Sequence, residues 1–203
     1  TWRRTLDEDG YVVRAVWTGG AELQRRTEHE FALSPVAGSR RLDLVVEFSP
    51  AELAGSLPAF EEVRQDSAAS WGRFWSSGGV VDLSGAADPR ARELERRIVL
   101  SEYLTAINCA GSIPPQETGL TFNSWHGKSH LEMHWWHAAH FALWDRVDLL
   151  RWSLPWYRKV LPRARETARM QGYGGARWGK MIGPDGRESP SGIGPFHVWQ
   201  QPH

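Results

Sequence analysis

The residue types best suited to chemistry crowd into one stretch. From Asn123 to His140 the chain reads Asn-Ser-Trp-His-Gly-Lys-Ser-His-Leu-Glu-Met-His-Trp-Trp-His-Ala-Ala-His. Five of its eight histidines (126, 130, 134, 137 and 140) and three of its twelve tryptophans (125, 135 and 136) surround Lys128 and Glu132 there. Three chemistries compete for this pattern. On a helix, His130, His134 and His137 fall at i, i+4 and i+7, within about 40° of one face, and three imidazoles can hold Zn²⁺. The metalloprotease order HExxH is not what stands here. The order is HxExH, which turns Glu132 about 200° from His130. A packing role suits His137 and His140. It suits Lys128, His130, Glu132 and His134 less well, because burying charge without a partner is costly. Polyol recognition fits the set best: Glu132 accepts from sugar hydroxyls, Lys128 and His130 or His134 donate, and Trp125 or Trp135 stacks on a ring. On that reading no metal and no cofactor is expected.

Two further polar clusters lie later. Arg177, Trp178, Lys180, Asp185, Arg187 and Glu188 form one, and Gln200 and Gln201, flanked by Trp199 and His203, form the other. From these Arg177, Lys180, Gln200 and Gln201 join Trp125, Lys128, His130, Glu132, His134 and Trp135 as expected substrate-binding residues. Glu132 and Glu188 are the weak catalytic candidates. An alternative role for Glu188 is a loop carboxylate paired with Arg177 or Arg187. The expected partner is an oligosaccharide or glycoside. Lys plus Arg equal Asp plus Glu at 24 each, so there is no cationic excess to displace counterions from a phosphate backbone, and no nucleic-acid partner is expected. A neutral polyol suits this balance better than a polyanion. No apolar run approaches the roughly 18 residues of a membrane span, so no membrane partner is expected. The lone Cys109 excludes an internal disulfide and leaves the redox compartment open.

These residues need elements to hold them. Tyr11–Thr18 and Arg41–Ser49 read as strands, rich in β-branched and aromatic residues, with Leu42, Leu44, Val46 and Phe48 alternating. So few strands read as the closing edge of a larger β-domain. After Pro50 the residues favour helix up to Ser77, where Gly78-Gly79 stops it. A second helix is expected over Ala91–Ala110, with Asp88 as cap and Leu94, Ile98, Ser101, Leu104 and Ile107/Asn108 as its inner stripe. A turn-rich loop spans 111–128, a third helix His130–Asp145 and a fourth Pro155–Gln171. Everything after Arg177 reads as a long loop, which in a compact domain points to function. The abrupt, aromatic ends suggest a piece of a longer protein.

The motifs Pro-Pro-Gln-Glu-Thr-Gly-Leu (114–120), Asn-Ser-Trp-His-Gly-Lys (123–128), His-Leu-Glu-Met-His-Trp-Trp-His (130–137), Gly-Pro-Asp-Gly-Arg-Glu-Ser-Pro (183–190) and Trp-Gln-Gln-Pro-His (199–203) carry a resemblance. Together they resemble the six-hairpin glycosidase superfamily, and more narrowly uncharacterised bacterial proteins related to glycoside hydrolase family 65. The resemblance covers about residues 70–203. It implies a mainly α fold: the end of an N-terminal β-sandwich at 1–50, a helical linker at 51–88, and the opening helices of an (α/α)6 barrel at 89–203. It also implies inverting cleavage of glycosidic bonds, by water or phosphate, with a general acid beyond His203. The family's Trp-Asp-x-Glu loop would place Glu132 at the sugar-binding Asp, Leu131 at the Trp and His134 at the Glu. Four helices are about a third of such a barrel. A non-catalytic sugar-binding or scaffold protein with a glycosidase-like barrel is the alternative, and a zinc enzyme using the histidine face is a third reading.

Overall fold

The computed structural model describes residues 1–7, 9–120, 122, 125–189 and 196. The chain divides into two units, Thr1–Phe74 and Trp75–His203. Among the described residues no helix is long and apolar enough to cross a membrane.

The first unit begins with β1 (Trp2–Leu6), β2 (Asp9–Thr18), β3 (Ala21–Arg25), β4 (Phe31–Pro35) and β5 (Asp43–Ser49). They form an antiparallel sheet in the order β1-β2-β5 and a separate β3-β4 hairpin. The register pairs Trp2 with Val13, Val13 with Phe48 and Trp17 with Leu44. Period two therefore puts these apolar residues on one face. The opposite face carries the cross-strand ion pair Arg14–Glu47 at 2.7 Å, and Arg14 also donates to the Gly55 carbonyl at 2.7 Å. Gly19 turns the chain between β2 and β3 at φ +90°, where an added Cβ would lie 2.0 Å from the Arg41 carbonyl oxygen. Only glycine fits there. The helix α1 (Phe60–Ser76) starts later than the composition suggests. Glu62 reaches back to accept from the Ala59 N–H at 2.7 Å, half of a capping box that fixes the start at residue 60.

The second unit holds α2 (Ala91–Cys109), β6 (Ser129–His130), α3 (Leu131–Leu143), α4 (Val147–Arg151), α5 (Leu154–Lys159), α6 (Leu161–Met170) and β7 (Met181–Ile182). Two apolar clusters hold it. Leu131, Trp156, Val160 and Ile182 form one, and Cys109, Ala138 and Phe141 the other. The helix expected over Pro155–Gln171 is broken at Val160, which leaves helical geometry at φ −94°, ψ 5°. Pro162 explains the break, since it has no N–H and its ring collides with the carbonyl four residues back. On α2 the buried side is Ala91, Glu102 and Cys109, whereas Leu94 is 52% exposed and Leu104 is exposed too. The inner face is thus rotated from the expected stripe. A buried ion pair, Glu102 to Arg146 at 3.0 Å, sets it.

The mainly α architecture is therefore corrected. The chain is a mixed α/β protein, 40% helix and 20% strand, with its strands in small sheets, and not the opening of an (α/α)6 barrel. Short helices of five, six and ten residues stand where long paired helices are needed, and the late loop closes a β-ladder.

Candidate functional site

The site is built on that ladder. Ser129 pairs with Gln116 on one side and with Ile182 on the other, and Ile182 pairs in turn with Glu188. His130 pairs with Met181, and the first N–H of α3, on Leu131, donates to the Lys180 carbonyl at 3.0 Å. Segments remote in the chain are thus brought side by side. A tight turn makes this possible. Gly186 N–H closes on the Gly183 carbonyl at 3.0 Å, with Pro184 and Asp185 in the corner, the order that turn chemistry favours. Asp185 accepts from the Arg187 N–H at 3.0 Å, which holds its carboxyl below the usual range. Gly186 has φ +84°, and a Cβ there would sit 2.7 Å from that of Val160. Trp156 donates its indole N–H to the Pro184 carbonyl at 2.8 Å, docking the turn on α5.

Glu132 and Lys180 meet through this ladder, Nζ to Oε1 at 3.1 Å. Glu132 is only 6% exposed, and its other oxygen, Oε2, has no hydrogen-bond partner among the described residues. The neighbouring His130 is 3% exposed, and its Nε2 is likewise buried and unpartnered. Burial pushes His130 below the ordinary imidazole range, against the opposing pull of Glu117 and Glu132, so the ring is neutral at pH 7. Trp125 packs beside it, ring centroids 5.6 Å apart, and is itself 58% exposed. The backbone beneath is strained. Trp125, His126 and Gly127 take φ of 50°, 60° and 67° in succession. Left-handed geometry costs a non-glycine residue roughly 1–2 kcal/mol, and such strain gathers where a site must be shaped.

The other expected residues have different surroundings. His134 is buried, with Nδ1 2.8 Å from the Tyr157 hydroxyl and Nε2 2.9 Å from Ser153 Oγ. Ser153 gives its own proton to the Leu150 carbonyl at 2.9 Å, so it accepts from His134 Nε2–H, and Tyr157 donates to Nδ1. Burial raises the Tyr157 phenol to about 12, keeping that donor protonated. Both nitrogens of His134 are thus used inside the protein. Arg177 is buried, donates to Gln171 Oε1 and lies 5.3 Å over the Tyr173 ring. Gln171 in turn donates to Glu188 Oε2 at 2.8 Å, so an amide stands between Glu188 and Arg177. Arg187 binds Asp185 at 2.8 Å. Trp135 is exposed on α3, and Lys128 follows the left-handed turn, its N–H bonded to the Trp125 carbonyl. Gln200 and Gln201 lie outside the described residues. No group of three or more His, Cys, Asp or Glu side chains among the described residues is arranged to hold a metal ion.

Glu117 was given no role by residue type, yet its Oε2 lies 3.1 Å from His130 Nδ1. The Pro-Asp-Gly corner at 184–186 is the signal that would have exposed the hairpin gathering Lys180 and Glu188. Comparison with known protein families, with curated proteins and with solved structures gives no match for this chain.

Proposed function

We propose that this chain binds a saccharide, as the substrate-recognising part of a protein that acts on glycosidic bonds. The observation that carries the reading is the ion pair of buried Glu132 with Lys180, one carboxylate oxygen having no partner among the described residues, next to His130, whose ring lies 5.6 Å from the exposed ring of Trp125. A carboxylate with a spare oxygen takes a hydroxyl proton, an ammonium gives one back, and an indole face covers the C–H side of a pyranose ring. The motif-level resemblance to glycosidases supports the same chemistry without the barrel. Titration calorimetry of the whole chain with neutral mono- and disaccharides tests it. Glu132→Gln should weaken binding by about 10- to 150-fold, the loss of a hydrogen bond to a charged group. No heat with any saccharide at millimolar concentration overturns the proposal.

One observation favours recognition without cleavage as a second reading. Glu188 has Oε2 held by the Gln171 amide, whose own oxygen accepts from buried Arg177. That suits a fixed structural carboxylate better than an acid that must meet a leaving group. Release of reducing sugar, with and without added inorganic phosphate, separates the two readings.

A further inference from the structure

Glu117 stands on the segment that pairs with Ser129, and its carboxylate is a partly exposed neighbour of the almost fully buried His130. Its Oε2 is 3.1 Å from His130 Nδ1, close enough for strong electrostatic coupling although off the line of a formed hydrogen bond. A lone pair on Nδ1 would face the lone pairs of a carboxylate oxygen, whereas a proton on Nδ1 would face opposite charge. The neutral ring therefore carries its proton on Nδ1, and Nε2 is left as an acceptor. That nitrogen and Glu132 Oε2 are both buried and both without a partner among the described residues. Buried acceptors left open in this way call for a donor.

We infer that Glu117 is a positioning residue that fixes the His130 tautomer, so that the site offers two acceptors and selects a neutral saccharide donating from adjacent hydroxyls. The inference rests on the sugar-binding reading for its ligand, but not for its tautomer. The charges around the acceptors are those of Glu117, Glu132 and Lys180, a net excess of one negative charge. A phosphate or carboxylate on the ligand would add like charge beside Glu132, which is disfavoured. The ring of Trp125 then serves hydroxyl-bearing rings without regard to charge. Selection falls to the acceptors.

The test uses the whole chain with ¹⁵N-labelled histidine and long-range ¹H–¹⁵N spectra at pH 7.5, His130 being assigned by its loss in His130→Gln. The expected signature is a protonated Nδ1 and a lone pair on Nε2 for His130. His134, whose hydrogen bonds fix the opposite tautomer, is the internal reference. Glu117→Leu should shift His130 toward Nε2–H and weaken binding of methyl glucosides, galactosides or mannosides about tenfold, one unmade hydrogen bond. Glu117→Gln, which removes the charge but keeps the size and an acceptor oxygen, should move both in the same direction by less than Glu117→Leu. Should Glu117→Leu fail to fold, the wild-type and Gln spectra still decide. A protonated Nε2 in the wild type overturns the inference. So does binding of glucose 1-phosphate or glucuronate as tight as that of the neutral sugar. The expected tautomer with no saccharide bound overturns the sugar reading while leaving the Glu117 assignment standing.

Discussion

Trp125 presents an indole to solvent from a backbone conformation that residues with a side chain avoid. Its exposure means that folding gains little from it, so its removal should separate binding from stability. Trp125→Ala is expected to lower saccharide affinity roughly 2- to 10-fold, the range for one aromatic contact of about 0.5–1.5 kcal/mol. Its melting temperature should stay near that of the wild type, and thermal denaturation beside calorimetry checks both. A large fall in melting temperature would make the ring a packing residue. At this scale the sequence was partly readable. Glu132 stood out because a carboxylate in an apolar helical stretch needs a partner, but residue type alone did not name Lys180 as that partner. His134 shows the converse. It has the right type and spacing for a ligand, and only its pairing with Tyr157 and Ser153 reveals that it is already used. Glu117 was invisible for a simple reason: one carboxylate in a turn-rich loop carries no pattern.

The helix α3 gathers its histidines into the interior, and this gives the element a pH dependence. His134, His137 and His140 on α3, and His130 just before it, all sit below the ordinary imidazole range, chiefly through burial; His134 falls to about 4. The unfolded chain then binds protons more readily than the folded one between about 6.5 and 4. Stability is full above about 6.5 and is lost as pH falls toward 4, His134 alone contributing on the order of 3 kcal/mol to that loss. Melting followed by circular dichroism from pH 7.5 to 4.5 should show the fall, and His134→Gln should flatten it. A pH-independent melting temperature would contradict buried neutral imidazoles. Element boundaries were legible where punctuation was strong, as on α2 with its unbroken run from Ala91 to Cys109, although the N-cap is Arg90 and the expected cap, Asp88, accepts from the Arg90 N–H at 2.8 Å instead. The inner face of α2 was not. Periodicity counts apolar residues, while the face that packs is anchored by the charged Glu102 and its bond to Arg146. Pro162, read as part of one helix, divides two because an interior proline removes the bond that would join them.

At the scale of the molecule, the first unit keeps much apolar surface in view. Trp2, Tyr11, Trp17, Phe31, Leu44 and Phe48 help to line a cavity of about 450 Å³ beside the β1-β2-β5 sheet, and Phe48 is 72% exposed. A cavity so lined should take up an environment-sensitive apolar dye in the native state. Phe48→Glu is expected to cut the dye fluorescence while shifting stability by no more than about 0.5 kcal/mol, as at other exposed positions. Unchanged dye uptake would place the apolar site elsewhere. The overall architecture was the least legible level. Two strand-like and four helical stretches in sequence are compatible with a barrel or with small sheets, and what decides is a ladder of two-residue strands too short to leave a periodic trace. That ladder has a kinetic consequence. Ser129 and Ile182 become neighbours only after the chain has closed a loop across α3 to α6, so this pairing is expected to form late in folding. Any ligand that bridges Glu132 and His130 would then act as a clasp on the native state, and a concentration of 100 times its dissociation constant would add about 2.7 kcal/mol to the free energy of unfolding.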